Sequence, residues 1–206
     1  MKSKAVSLGP SIIISLAVVV MMTAAAPFAF AQASHVRWDI ISVHFGTPGT
    51  ASAGGIASAT ANDGSHITLT GSGTFVAPAG GNGTSSGVSG GGKWTTYSST
   101  GVVTGTGTYE VTGLVLWERS LLPPGGPIPL TDLIDPSTVR STGLAVLRIA
   151  YSDGEKGILI VSCAGYLSPA SAFEGIHATK GLTDYKSPVP PVPGVDANRT
   201  LFHVEE

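Results

Sequence analysis

Six side chains of this sequence could ligate a metal or act as nucleophile or base: His35, His44, His66, His177, His203 and Cys163. A zinc site needs convergent ligands, usually at recognisable spacings such as C-x-x-C or H-E-x-x-H. None of the six is spaced that way, so no metal and no other cofactor is expected. A Cys163/His177 pair on neighbouring strands is the one metal hypothesis worth testing. Cys163 is the sole cysteine, which excludes a disulfide within the chain and reads as a small buried apolar residue. Glu174 shares strand parity with Ile176 and Ala178, so a regular strand points it inward, and a buried carboxyl has a raised pKa suited to proton chemistry. The hydrolase pattern G-x-S-x-G occurs around Ser85 and Ser89, but inside a Gly/Ser tract with no helix to follow. No catalytic residue is assigned.

The elements that must position these groups are strands. Short alternating runs of Val, Ile, Thr and aromatic residues recur between Gly, Asp and Ser turns, and no amphipathic helix interrupts them. Val36, Trp38 and Ile40 alternate, then Ile41, Val43 and Phe45 on the opposite phase, which predicts a β-bulge at Ile40-Ile41. Asp63-Gly64 and Asp153-Gly154 mark tight hairpins. A long strand over Val102 to Trp117 presents Val103, Tyr109, Val111, Val115 and Trp117 on one face and Thr104, Thr106, Thr108, Glu110 and Thr112 on the other. A further run spans Phe173 to Tyr185.

Two stretches break the strand pattern. Residues 79–92 are rich in Gly and Ser and read as a mobile loop. Residues 118–140 contain Pro123, Pro124, Pro127, Pro129 and Pro136, together with Leu121, Leu122, Ile128, Leu130, Leu133 and Ile134. These aliphatics read as a loop packed over one end of the fold, or as a lid or partner surface. Residues 188–206 form a Pro-rich tail in which Thr200 to Val204 could add a last short strand. Sequons stand at Asn82 and Asn198.

An internal echo links Leu69-Thr70-Gly71-Ser72-Gly73-Thr74-Phe75 to Val103-Thr104-Gly105-Thr106-Gly107-Thr108-Tyr109. These segments resemble the G-[ST]-G-x-[FY] strand motif of the allene oxide cyclase/dirigent barrels. Gly92-Lys93-Trp94 is similar to the G-x-W of lipocalins. Both resemblances imply an eight-stranded barrel, and neither carries a catalytic residue across. The whole pattern predicts an all-β domain over residues 32–187, a single antiparallel barrel of eight to nine strands, with a β-sandwich as the alternative.

The N-terminus combines Lys2 and Lys4, an apolar run from Ser11 to Met22, and Ala29-Phe30-Ala31. This is the pattern of a cleavable signal peptide over residues 1–31 and implies a secreted product. The remaining 175 residues carry 9 basic and 13 acidic side chains, scattered, with no basic stripe for nucleic acid and no further membrane-spanning run. The functional expectation is a non-enzymatic barrel that binds a small apolar ligand or a surface partner. Its ligand-contacting residues would be Tyr109, Trp117, Glu174, His177, Leu121, Leu122, Ile128 and Leu130. The alternatives are a barrel enzyme of the cyclase or isomerase kind and a structural component of the cell surface.

Overall fold

Alternating apolar residues can be buried on one face of a strand only if a sheet curls over that face or a second layer covers it. In this chain the sheet curls. The computed structural model describes residues 33–77, 87–120, 130–165, 167–189 and 198–205. Residues 1–32, Leu121, Leu122, Ile128, Asn82, Ser85 and residues 190–197 of the proline-rich tail lie outside these residues.

The strands in chain order are β1 (Ser34–His44), β2 (Gly49–Ala53), β3 (Ala57–Thr60), β4 (His66–Leu69), β5 (Ser72–Ala77), β6 (Val88–Tyr97) and β7 (Val103–Ser120). They continue with β8 (Leu130–Asp132), β9 (Val139–Tyr151), β10 (Lys156–Cys163), β11 (Gly175–Lys180), β12 (Thr183–Tyr185), β13 (Ser187–Pro188) and β14 (Arg199–Glu205). No helix occurs among the described residues. The pairings β1–β5–β6–β7–β9–β14–β1 form a closed antiparallel ring. The architecture is therefore a closed barrel, not a sandwich.

Six strands close that ring, fewer than the eight to nine expected. The reason is that β1, β6 and β9 each serve two neighbours along one edge. β6 pairs β5 through Val88–Gly91 and β4 through Trp94–Tyr97. β9 pairs β14 through Val139–Ser141 and β10 through Gly143–Ala150. Strand-like runs in the sequence thus outnumber strands in the ring. β10, β11 and β12 extend the sheet from β9, and β3 and β13 extend it from β4.

Segment boundaries shift accordingly. β6 begins at Val88, inside the expected Gly/Ser loop 79–92, and Ser89 sits on that strand rather than at a strand–helix elbow. β7 runs to Ser120 and β9 starts at Val139, so the proline-rich region 118–140 contributes residues to both, and to β8. The last strand expected over Thr200 to Val204 forms as β14, which closes the ring between β1 and β9.

The bulge expected at Ile40-Ile41 is absent: β1 keeps an unbroken register with β14 from His35 to Ile41. The phase change marks a change of partner, since β1 leaves β5 at Asp39 and takes β2 at Ile41. The bulges fall elsewhere, at Val111/Gly113 and Leu114/Leu116 on β7. They move Leu114 into the core and turn Val115 out to 39% exposure, against its expected inward place. Two successive slips restore the original phase, so Trp117 again faces inward, opposite Ala145.

The hairpin turns form as their glycines require. Gly64, Gly101 and Gly154 have φ of 83°, 81° and 93°. The sequence echo has a packing origin. Trp38 pairs Gly73 across β1 and β5, and Trp94 pairs Gly107 across β6 and β7. In both pairs the missing side chain makes room for an indole lying over the neighbouring strand. A Cβ at Gly73 would stand 2.8 Å from Trp38 Nε1, and one at Gly107 would stand 2.9 Å from Trp94 Nε1.

Candidate functional site

The inward faces build one buried cluster rather than a vessel. Trp38, Phe75 and Phe202 are essentially fully buried, with Leu114, Leu147, Ile149, Leu159 and Ile176 around them. Tyr109 is in this interior, and its hydroxyl donates to the Thr70 carbonyl at 3.0 Å. Burial pushes that phenol far above its ordinary range, so it stays protonated. Trp117 packs against Phe202 with ring centroids 4.6 Å apart and against Phe75 at 5.5 Å. Both aromatic residues singled out as ligand contacts are occupied in packing against other side chains.

One inward position of β11 is a lysine. The Lys180 ammonium stands 4.4 Å from the Trp94 ring centroid and 5.1 Å from that of Tyr151. It forms ion pairs with Asp153 and Glu155 of the β9–β10 turn. Burial works against its charge, but these two carboxylates outweigh burial and raise its pKa. The charge is balanced at the rim of the barrel, where the aromatic core meets water.

A second polar group lies on the outer face of β1 and β14, beneath β8 and the turn after it. Asp39 is fully buried there and receives a two-pronged bond from Arg37, Nε at 2.7 Å and Nη2 at 2.9 Å. Asp132 contacts His203 Nε2 at 2.7 Å and accepts from the Ile134 amide at 2.9 Å. Leu130 occupies β8 beside Gly49, half-buried, and its carbonyl accepts from Arg140. Periodicity cannot reveal this cluster, because it puts buried charge on the face that alternation assigns to solvent.

One concave feature of the described residues lies at one end of the barrel. It is a groove of about 410 Å³. Glu118, Arg119 and Ser120 of β7 form one side, with Gly143 and Leu144 of β9 on the floor. Ser162 and Cys163 of β10 and the segment Ser168–Phe173 complete it. The groove opens beside an in-register row across four strands, Leu116–Val146–Ile160–His177. Leu116 is 41% exposed on this outer face.

His177 stands at the end of that row, outside the barrel, stacked on Phe173 with centroids 3.9 Å apart. Partial burial lowers its pKa, with Asp184 opposing. Cys163 has inward parity on β10, so it and His177 lie on opposite faces of the sheet and cannot share a metal. Burial, reinforced by the Glu174 charge, pushes the Cys163 thiol well up, which leaves it protonated and a poor nucleophile.

Glu174 sits where the groove wall Ser168–Phe173 joins β11, one residue before the strand rather than within it. Its Oε2 accepts from the Ala164 amide at 2.6 Å and its Oε1 from the Thr200 amide at 2.8 Å. Burial pushes its pKa up to about 7, against the pull of those amides and of Arg199. The carboxyl that parity singled out is therefore half-buried, lies ahead of the strand and is engaged with the backbone. Sequence reading missed the groove itself, whose residues come from four separated segments that share no motif. It also missed the Asn198 geometry: this sequon side chain is buried and accepts from the Ser58 amide at 2.6 Å, so it is unavailable for glycosylation. The chain matches no protein-family model, no curated protein and no solved structure.

Proposed function

We propose that this chain is an exported, non-enzymatic binding module, and that its ligand is a small apolar molecule held in the groove between β7, β9, β10 and the Ser168–Phe173 wall. The observation that carries the reading is the contrast between a barrel interior filled by its own aromatic side chains and a groove of about 410 Å³ outside it. That volume lies in the roughly 300–1,000 Å³ range of small-molecule sites. Leu144 and Ala172 give the groove apolar surface, and the Leu116–Val146–Ile160 row extends that surface beyond its mouth. The enzyme alternative would rest on Glu174, but both of its oxygens are held by backbone amides.

The test uses the neutral dye N-phenyl-1-naphthylamine. Saturable fluorescence enhancement with one site per chain is expected. Ala172→Trp, which fills the groove from an exposed position, should weaken binding roughly tenfold or more, a loss of about 1.4 kcal/mol or greater. Its melting temperature should stay unchanged. Absence of saturable binding, or equal affinity in the filled variant, overturns the proposal.

A further inference from the structure

The apolar surface of the groove continues past its mouth along β9. Leu144, on the groove floor, shares the outer face of the sheet with Val146 and Arg148, because these three alternate with buried Ala145, Leu147 and Ile149. Strand register supplies the flanks. Leu116 of β7 and Ile160 of β10 stand on either side of Val146, and Ile158 of β10 stands beside Arg148. Val115, turned out by the β7 bulges, widens the border next to Leu116. An aliphatic strip therefore leads from the groove floor to an arginine.

That arginine is the unbalanced charge of the strip. Arg148 is exposed, and its guanidinium forms no ion pair among the described residues. Its main chain is tied to β7, where the Thr112 hydroxyl donates to the Arg148 carbonyl at 3.3 Å. The residue opposite it on β7 is Gly113, which has no side chain to cover the guanidinium. The row beyond holds Glu110 and Lys156 on either side of Ala150, charges of opposite sign. At the groove end, Glu118 and Arg119 are likewise opposite in sign. A flat protein or membrane surface is held off the groove floor by the Ser168–Phe173 wall, whereas a slender chain can enter between that wall and β7.

We infer that the ligand is a straight-chain carboxylate, with its alkyl tail in the groove and along Leu144 and Val146, and its carboxylate on Arg148. This deepens the reading of the groove as a ligand site and rests on it. A guanidinium matches a carboxylate in a two-pronged, charge-assisted pair. From Leu144 to Arg148 is 4 residues of strand, about 14 Å. An extended chain advances about 1.2 Å per bond, since the three backbone bonds of a residue span roughly 3.3–3.6 Å. About 12 carbons therefore reach from the groove floor to the guanidinium, and much shorter chains cannot occupy both.

Isothermal titration calorimetry at pH 8, below micellar concentrations, tests this with straight-chain carboxylates and the matching alcohols. Affinity should rise roughly twofold or more per methylene from octanoate to dodecanoate. Dodecanoate should bind roughly fivefold tighter than 1-dodecanol, the scale of one partly exposed ion pair. Arg148→Gln should remove that preference. Should that variant not fold, dodecyltrimethylammonium decides in the unaltered chain, where its cationic head should make it bind more weakly than dodecanol. Ala172→Trp should weaken dodecanoate as it weakens N-phenyl-1-naphthylamine. Equal affinity for dodecanoate and dodecanol, a preference that survives Arg148→Gln, indifference to chain length, or dodecanoate binding untouched by Ala172→Trp overturns the inference. If any of these occurs while the dye still binds the groove, the groove proposal stands without it. If neither dye nor dodecanoate binds, both fall.

Discussion

Replacing Gly73 by valine should lower the melting temperature by roughly 10 °C, measured by circular dichroism, from an overpacking cost of about 3 kcal/mol. Gly73 faces Trp38 across the β1–β5 ladder, and Trp38 is fully buried. Even a Cβ at this position would stand 2.2 Å from the Ser89 carbonyl oxygen of β6. That atom belongs to the backbone and cannot rotate away, so the strand or the indole must move. Gly107→Val should cost less, because the nearest atom to its Cβ is the hydroxyl of Ser152 at 2.4 Å, the end of a small side chain. It would still press on Trp94, whose indole N–H donates to the Thr108 carbonyl at 3.0 Å. Thr106→Val, on the exposed face of the same strand, is the control and should change stability by no more than about 0.5 kcal/mol. A Gly73→Val protein that melts within 2 °C of the parent, taken as about 0.5 kcal/mol, would refute the glycine–tryptophan account.

Asp132→Ala should be comparably destabilising, by about 2–3 kcal/mol, because it leaves a buried partner unsatisfied. His203 is 1% exposed, and its Nδ1 has no hydrogen-bond partner. Its Nε2 depends on Asp132. Without that carboxylate both ring nitrogens are buried with nothing to bond. The turn over Ile134 and Asp135, which Asp132 also caps through their amides, comes loose from the barrel wall at the same time. Burial pushes the Asp132 pKa up, but the bond from His203 and that from the Ile134 amide outweigh it, and the net shift is downward. A depressed carboxylate contributes stability above its unfolded value, 3.8, and loses it as pH falls through the lower folded value. The gap between parent and Asp132→Ala should therefore be widest near neutral pH and narrow in strong acid. Chemical denaturation at both pH values measures it, and a gap that widens in acid would contradict the assigned bond.

The sequence was informative wherever the cause is local. Alternation and Asp-Gly turns are short-range matters of pleat and backbone angle, and they identified an all-β chain and its hairpins at Asn62–Ser65 and Ser152–Gly154. The same parity put the Thr104, Thr106 and Thr108 hydroxyls on the exposed face of β7, whereas Glu174, expected to point inward from a strand, is half-buried just ahead of one. His177, expected as a ligand contact, lies one residue out of phase with the buried Ile176 and Ala178.

What only the tertiary structure decided is who pairs with whom. The length of β1, β6 and β9 lets each carry two partners on one edge, and this sets a six-stranded ring that no count of runs discloses. The slips on β7 are invisible in its own residues, because a bulge is a mismatch between two strands; they exchange Leu114 for Val115 in the core. The groove is assembled from positions 118–120, 143–144, 162–163 and 168–173, which approach one another only when β7, β9 and β10 are laid side by side. Buried charge at Asp39 and Asp132 likewise depends on β8 crossing the outside of the barrel. Local propensity is written residue by residue, whereas closure, register and concavity are properties of contacts between distant segments, so they exist only once the chain has folded.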